Sequence, residues 1–302
     1  IMNSLQERSV HDDELGMFWR DQERSWWWYR APIETQAMMI EAFDEVRSDA
    51  ESVEACKVWL LKQKETQNWQ TSKATADAIY AMLLRGTNWL ASDQPVTITM
   101  GGQSIDHHDA EAGSGYYESH FLGKDIRPDL AEIVVTKSDD GISWGSVHWQ
   151  FLEDIDKIKA HRETPLQLNK QLFLRQLTKQ GPQLTHIDRP LRLGDELMVR
   201  IELQTDRDME YVHLQDHRAS GTEPVNVLSR YKYQDGLSYY ETTHDTASHF
   251  FIDYLPKGNY VFQYPVRIVH RGRYPTGVAR IQCLYAPQYN SHSENINLLV
   301  EN

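Results

Sequence analysis

The chain has 302 residues, 40% of them hydrophobic and 25% charged, a balance that fits folded globular modules and excludes disorder. Forty-four acidic against 31 basic residues leave a net charge of −13, which repels phosphate backbones and argues against non-specific nucleic-acid binding. No uninterrupted apolar run is long enough to span a bilayer, and the length predicts two or three modules.

The opening residues, Ile1-Met2-Asn3-Ser4, lack a signal-peptide pattern and place an Ile ahead of Met, so the sequence reads as a piece of a longer protein. Residues 1–92 predict packed antiparallel helices. The polar "HDDE" at 11–14 reads as a solvated face. After Pro32, a favoured first-turn residue, Met39, Ala42, Phe43 and Val46 recur at helical spacing. A second helix from about Asp49 to Lys64 aligns Val53, Cys56 and Leu60. A third, entered through Thr71-Ser72, aligns Thr75, Ile79, Met82 and Leu83 and stops at Gly86. A faint repeat supports an array of helix pairs: Tyr29 and Trp69 each precede a threonine, Thr35 or Thr75, by six positions, with 40 residues between the copies.

Four consecutive aromatics, Trp26, Trp27, Trp28 and Tyr29, cannot all enter one core. Some are expected to face another module; a carbohydrate platform is the alternative. Cys56 and Cys283, the only cysteines, fall in different predicted modules and read as small buried hydrophobes instead of a disulfide or a nucleophile.

From Pro95 the pattern shifts to short β-rich runs, "PVTITMGG", "AEIVVTKSD" and "SVHWQF". Between the last two lies "GISWG", which matches the G-x-S-x-G of a hydrolase nucleophile elbow. That elbow needs a strand before the serine and a helix directly after it. Val147, Trp149 and Phe151 instead alternate as in a strand, so Ser143 is expected in a hairpin turn and no catalytic residue is assigned. His107, His108, Asp109, Glu111 and His120 form a polar loop whose composition could bind metal, although such loops usually do not. His213 and His217 resemble half of a zinc helix, but position 214 is Leu, and on a strand the two lie about 13 Å apart. They read as surface histidines, and neither a metal nor a cofactor is expected.

Residues 154–163 are charged and read as a connector. Beyond Pro165, Leu197, Val199, Ile201 and Leu203 alternate with polar residues, as do Tyr260, Phe262, Tyr264, Val266 and Ile268. With "HFFIDYL", "ARIQCLYA" and "INLLVE" they predict an antiparallel sandwich. Pro224 to Leu228 is expected to form a helical excursion from it.

Several blocks, "WLLKQKETQNWQTSKATADAIYAMLLRG", "ISWGSVHWQFLEDIDKI", "YLPKGNYVFQYP" and "YAPQYNSHSE", resemble in order the C-terminal end of bacterial alpha-2-macroglobulin family proteins, especially the large Bacteroidetes type. The resemblance implies a multidomain α plus β chain. Residues 1–92 would be the last helices of an α/α toroid equivalent to the thioester domain. Residues 93–162 would be the returning half of a CUB-like β module, and 163–302 the terminal macroglobulin-like, receptor-binding-type sandwich. Family members are exported, periplasmic or cell-surface proteins that can trap proteases. The likeness therefore implies a noncatalytic fragment whose full-length parent inhibits endopeptidases and meets proteases and its own upstream domains; a cell-envelope scaffold or binding module is the alternative. Covalent trapping in the family uses C-x-E-Q, and neither "CKVW" nor "CLYA" matches it. Packing between such modules leads us to expect Trp26, Trp27, Trp28, Tyr29, Tyr289 and His292 at inter-module contacts, and an incomplete toroid is expected to favour self-association.

Overall fold

The computed structural model describes residues 1–20, 30–89, 94, 96–106, 111, 115–138, 143 and 145–301. It is mostly β with few helices, and it divides into two compact units: residues 1–61 with 69–147, and residues 62–68 with 148–302.

The first unit opens with α1 (Met2–Glu7) and a hairpin of β1 (Val10–Asp12) and β2 (Gly16–Phe18). An all-helical start is thus corrected: "HDDE" forms the exposed hairpin tip. Asp12 Oδ1 accepts the N–H groups of Glu14 and Leu15 at 2.9 and 2.8 Å, which favours a turn over a helix. Gly16 has φ +77°, and a Cβ there would stand 2.2 Å from the carbonyl oxygen of Ala55, so only glycine fits.

Three helices follow: α2 (Pro32–Ala42), α3 (Ala50–Thr66), whose residues 62–66 belong to the second unit, and α4 (Ser72–Leu84). On α3 the buried stripe Val53, Cys56 and Leu60 is the expected one. On α2 the stripe runs through Ile33, Ala37 and Ile40 to Phe43, and Val46 is 70% exposed. The cause is a π-helical turn over Phe43–Arg47, whose wider turn swings Val46 out of phase. On α4 the buried residues are Ala74, Ala78 and Ala81, while Ile79 and Leu83 are exposed. Small side chains let that helix sit close to its neighbours, so the alanine face wins over the bulkier one. Thr71 caps α4, its hydroxyl accepting the Ala74 N–H at 2.9 Å. Beyond it, Gly86 takes φ +61°. The chain is then held by the buried Lys57, whose Nζ donates to Thr87 O at 2.9 Å and Glu54 Oε1 at 3.1 Å. The unit closes with a sheet ordered β4 (Gln103–Ser104), β3 (Thr97–Met100), β5 (Ile133–Thr136).

The second unit is an antiparallel sandwich. Its strands in chain order are β6 (Leu166–Thr178), β7 (Gly181–Thr185), β8 (Glu196–Thr205), β9 (Met209–His217), β10 (Thr222–Pro224), β11 (Arg230–Gln234), β12 (Leu237–Thr243), β13 (Ala247–Leu255), β14 (Gly258–Ile268), β15 (Gly272–Pro275), β16 (Ala279–Cys283), β17 (Asn290–His292) and β18 (Asn297–Val300). One sheet is ordered β10-β14-β8-β6-β7, the other β11-β12-β13-β9-β16-β17, and β15 pairs with β18. Leu197, Val199, Ile201 and Leu203 of β8 and Phe262, Tyr264, Val266 and Ile268 of β14 point into one continuous core with Val212, Leu214, Phe250, Ile252 and Ile281 of the facing sheet, as period-two alternation requires. Residues 225–229 carry no helix, contrary to expectation. Pro224 ends β10, the Val225 N–H donates to Pro265 O at 3.4 Å, and β-branched valines disfavour a helical turn. The connector is pinned to this unit by His161, which exchanges backbone hydrogen bonds with His292 at 2.9 and 3.2 Å, and by Asp156, which accepts from Asn295 and Asn297 at 2.9 Å.

Candidate functional site

Ser143 is exposed, and residues 145–154 have neither helix nor strand. The predicted strand through Val147, Trp149 and Phe151 is therefore a correction: all three side chains are exposed, so no packing partner rewards a pleated conformation. Gly141, Ile142 and Trp144 lie outside the described residues, and among those described no helix directly follows the serine as an elbow demands.

His107, His108 and Asp109 lie outside the described residues. His120 pairs with Glu118 at 3.2 Å on the surface, and no group of three potential ligands converges among the described residues. Cys56 and Cys283 are buried, unpaired and in different units. Desolvation, with Asp49 adding to it, pushes the Cys56 thiol up to about 12, and burial raises that of Cys283. Both are poor nucleophiles as a result. Trp26, Trp27, Trp28 and Tyr29 lie outside the described residues.

Tyr289 is buried in the second unit. Its hydroxyl accepts from Arg207 Nη1 at 3.1 Å and donates to Glu65 Oε2 at 3.2 Å, and the Arg207 guanidinium lies 5.1 Å from the ring centroid. His292 is half-buried on β17, its ring 5.8 Å from that of His161. The two residues thus sit at different sites, one in a charged network and one against the connector.

His213 and His217 occupy the outer face of β9, as expected of surface histidines. His213 Nε2 meets His249 Nδ1 of β13 at 3.0 Å, with nearly parallel rings. This contact requires one of the two nitrogens to be unprotonated. Burial first, then His249 and Arg280, lowers the His213 pKa; burial first, then His244 and His217, lowers that of His249. The folded state therefore binds fewer protons than the unfolded chain near the ordinary histidine value of about 6.5. Stability from this pair is present above that value and is lost as pH falls from it through the lowered folded-state values. Thermal unfolding at pH 7.5 and 5.0 is expected to show a drop in Tm that shrinks in His249→Gln; an unchanged drop would remove the pair from the account.

The most heavily built polar cluster lies between the two sheets. Asp216 of β9 is completely buried. One carboxylate oxygen accepts from Lys170 Nζ of β6 at 2.5 Å, and the other accepts from the Tyr264 hydroxyl of β14. Lys170 also donates to His217 O at 3.1 Å. Burial first, then the Asp216 charge, raises the Tyr264 pKa well above its ordinary value, so the phenol remains a donor. Arg218 Nη1 extends the network to Ser248 at 3.1 Å. With Lys170 and Asp216 paired to each other and Tyr264 bonded to the same carboxylate, the cluster ties the sheets together. Sequence reading missed it, yet a signal exists. Lys170 falls in the inward phase of Leu166, Leu168, Leu172 and Leu174, and Asp216 in that of Val212 and Leu214.

Residues 166–288 match the family described as Bacterial Alpha-2-macroglobulin MG10 domain. Solved structures similar to this chain include trypsin-activated alpha-2-macroglobulin from Escherichia coli, 14% identical over 90% of this chain and 19% of that one, TM-score 0.43. Salmonella alpha-2-macroglobulin reacted with methylamine is 16% identical over 93% and 18%, TM-score 0.38. The native E. coli protein seen by cryo-EM is 12% identical over 99% and 18%, TM-score 0.38. The chain thus spans less than a fifth of the length of each of these. No curated protein matches. Residues 166–288, the greater part of the sandwich, are thus identified by the family match as an MG10 domain of the bacterial alpha-2-macroglobulin type.

Proposed function

We propose that the chain is a noncatalytic portion of a protease-trapping protein, in which the sandwich serves as a rigid block that other modules pack against. The match of residues 166–288 to the MG10 domain carries this reading. The sandwich supports it physically: its buried Lys170–Asp216–Tyr264 cluster is spent on holding the two sheets together, and its cysteine, Cys283, is a thiol shielded by burial. In this reading residues 1–92 belong to an α/α toroid, 93–162 to a CUB-like module and 163–302 to the macroglobulin-like sandwich, with Trp26, Trp27, Trp28, Tyr29, Tyr289 and His292 at inter-module contacts. The full-length protein works outside the cytoplasm, in the periplasm or at the cell surface. Among the described residues, no helix is long and apolar enough to cross a membrane.

Incubating the full-length protein with trypsin and separating by size tests the reading. The protease is expected to elute with the larger protein and to keep its activity toward a small peptide substrate. Trypsin that elutes free at every ratio would support the scaffold alternative instead.

A further inference from the structure

The Lys170–Asp216 pair differs from the other lysine–carboxylate pairs among the described residues in that both of its side chains are out of water, 1% and 0% exposed. Lys57 is equally buried but its partner Glu54 is 28% exposed, and the buried Glu241 pairs with a Lys232 that is 22% exposed. Lys170 Nζ lies 2.5 Å from Asp216 Oδ1 and is held from a second side by His217 O at 3.1 Å. Oδ2 accepts from the Tyr264 hydroxyl. The three side chains come from β6, β9 and β14, so strands of both sheets fix their positions.

An amine and a carboxyl held in contact can condense to an amide. In water, hydration of the two ions and the excess of water oppose this. A dry core removes both: burial strips the hydration that favours the ions, and fixed contact supplies an effective concentration of about 10⁵–10⁸ M.

The step balances within the cluster. One proton passes from Nζ to Oδ1 along their hydrogen bond, leaving a neutral amine beside a neutral acid. The nitrogen lone pair then attacks Cγ, and the negative charge that develops on Oδ2 is met by the Tyr264 hydroxyl, already aimed there. Oδ1 takes a second proton from Nζ, its bond to Cγ breaks, and it leaves as water. Oδ2 remains as the amide carbonyl, and no oxidant, reductant or co-reactant is needed. The water has a place to go: a cavity of about 10 Å³, lined by Lys170, His217, Thr222, Tyr264 and Thr276 among others, adjoins the pair. That is about the space one water molecule requires, with polar groups to bind it.

We propose that Lys170 and Asp216 condense, once per chain, into an isopeptide bond that joins the two sheets covalently. The bond closes a loop across 46 positions of sequence, so the sheets it links cannot part even when their hydrogen bonds and core contacts open. The ion pair is the state from which it forms, and unfolding measured before conversion reports the pair alone.

Mass spectrometry of the intact 302-residue chain tests the proposal. Chain held folded is expected to become one water lighter than its sequence, whereas chain kept in urea from lysis onward is expected to retain its full mass. Trypsin digestion locates the bond: cleavage after Lys170 is expected to disappear, and residues 163–175 and 208–218 are expected to be recovered as one branched peptide. Tyr264→Phe is expected to slow the loss of water about 100-fold, the cost of one missing oxyanion donor. Should that variant not fold, the peptide map of the wild-type chain decides alone. Full mass after prolonged incubation of the folded chain, with cleavage after Lys170 intact, overturns the proposal. A lighter chain that yields the two peptides unbranched overturns it too, because the water has then left elsewhere, as when an aspartate closes on its own backbone.

Discussion

Asp216→Ala is expected to destabilise the second unit by about 3–5 kcal/mol, read as a shift in urea midpoint at unchanged slope. The substitution leaves Lys170 buried without its counter-charge and leaves the Tyr264 hydroxyl without its acceptor. Desolvation is what makes this costly: an ion taken out of water must recover its lost hydration from a partner at close range. The same argument predicts a recovery. Replacing all three groups at once, as Lys170→Met, Asp216→Leu and Tyr264→Phe, removes the need for pairing and is expected to return stability to within about 1–2 kcal/mol of wild type, since apolar replacements of buried ion pairs are often neutral. A triple variant as unstable as Asp216→Ala alone would show that the cluster contributes more than mutual compensation.

Phe250→Ala carries a comparable effect by a different mechanism. Phe250 is buried at the centre of the sandwich, with ring centroids 5.1 Å from Phe262, 5.4 Å from Tyr264 and 5.8 Å from Tyr239. Truncation removes the transfer free energy of the ring and leaves a cavity that stiff sheets cannot close, for a loss of about 3–5 kcal/mol. Its neighbour Phe251 points to the opposite face and is 37% exposed. Phe251→Ala is expected to cost about 1 kcal/mol or less, being a partly exposed ring with little cavity to leave. Equal losses at the two positions, measured by the same urea unfolding, would contradict the assignment of faces on β13.

The strands were legible because burial on one face writes itself as period two, and β8 and β14 show it without interruption. The helices were legible in place and less so in orientation. On α4, reading by hydrophobicity selects Ile79 and Leu83, while close packing selects Ala74, Ala78 and Ala81, whose small size conveys no strong apolar signal. A π-turn after α2 has no sequence mark that periodicity detects, so helical spacing puts Val46 on the core stripe that it leaves. Residues 145–152 show the converse: alternation through Val147, Trp149 and Phe151 predicts a strand, but a strand needs a partner edge, and a one-dimensional pattern cannot supply one. The Lys170–Asp216–Tyr264 cluster stayed hidden because its members are 46 and 48 residues apart in sequence. Only the phase of each strand, read together, brings them between the same two sheets.

Native-state hydrogen exchange on the 302-residue chain tests most directly whether the MG10 domain acts as one rigid block. If the cluster and the shared core join both sheets, the slowest amides of β8 and β14 and those of β9 and β13 are expected to exchange with a single free energy, equal to that of global unfolding of the domain. Two distinct values, with one sheet opening well before the other, would show that the sheets move independently and that the domain is not the braced element proposed here.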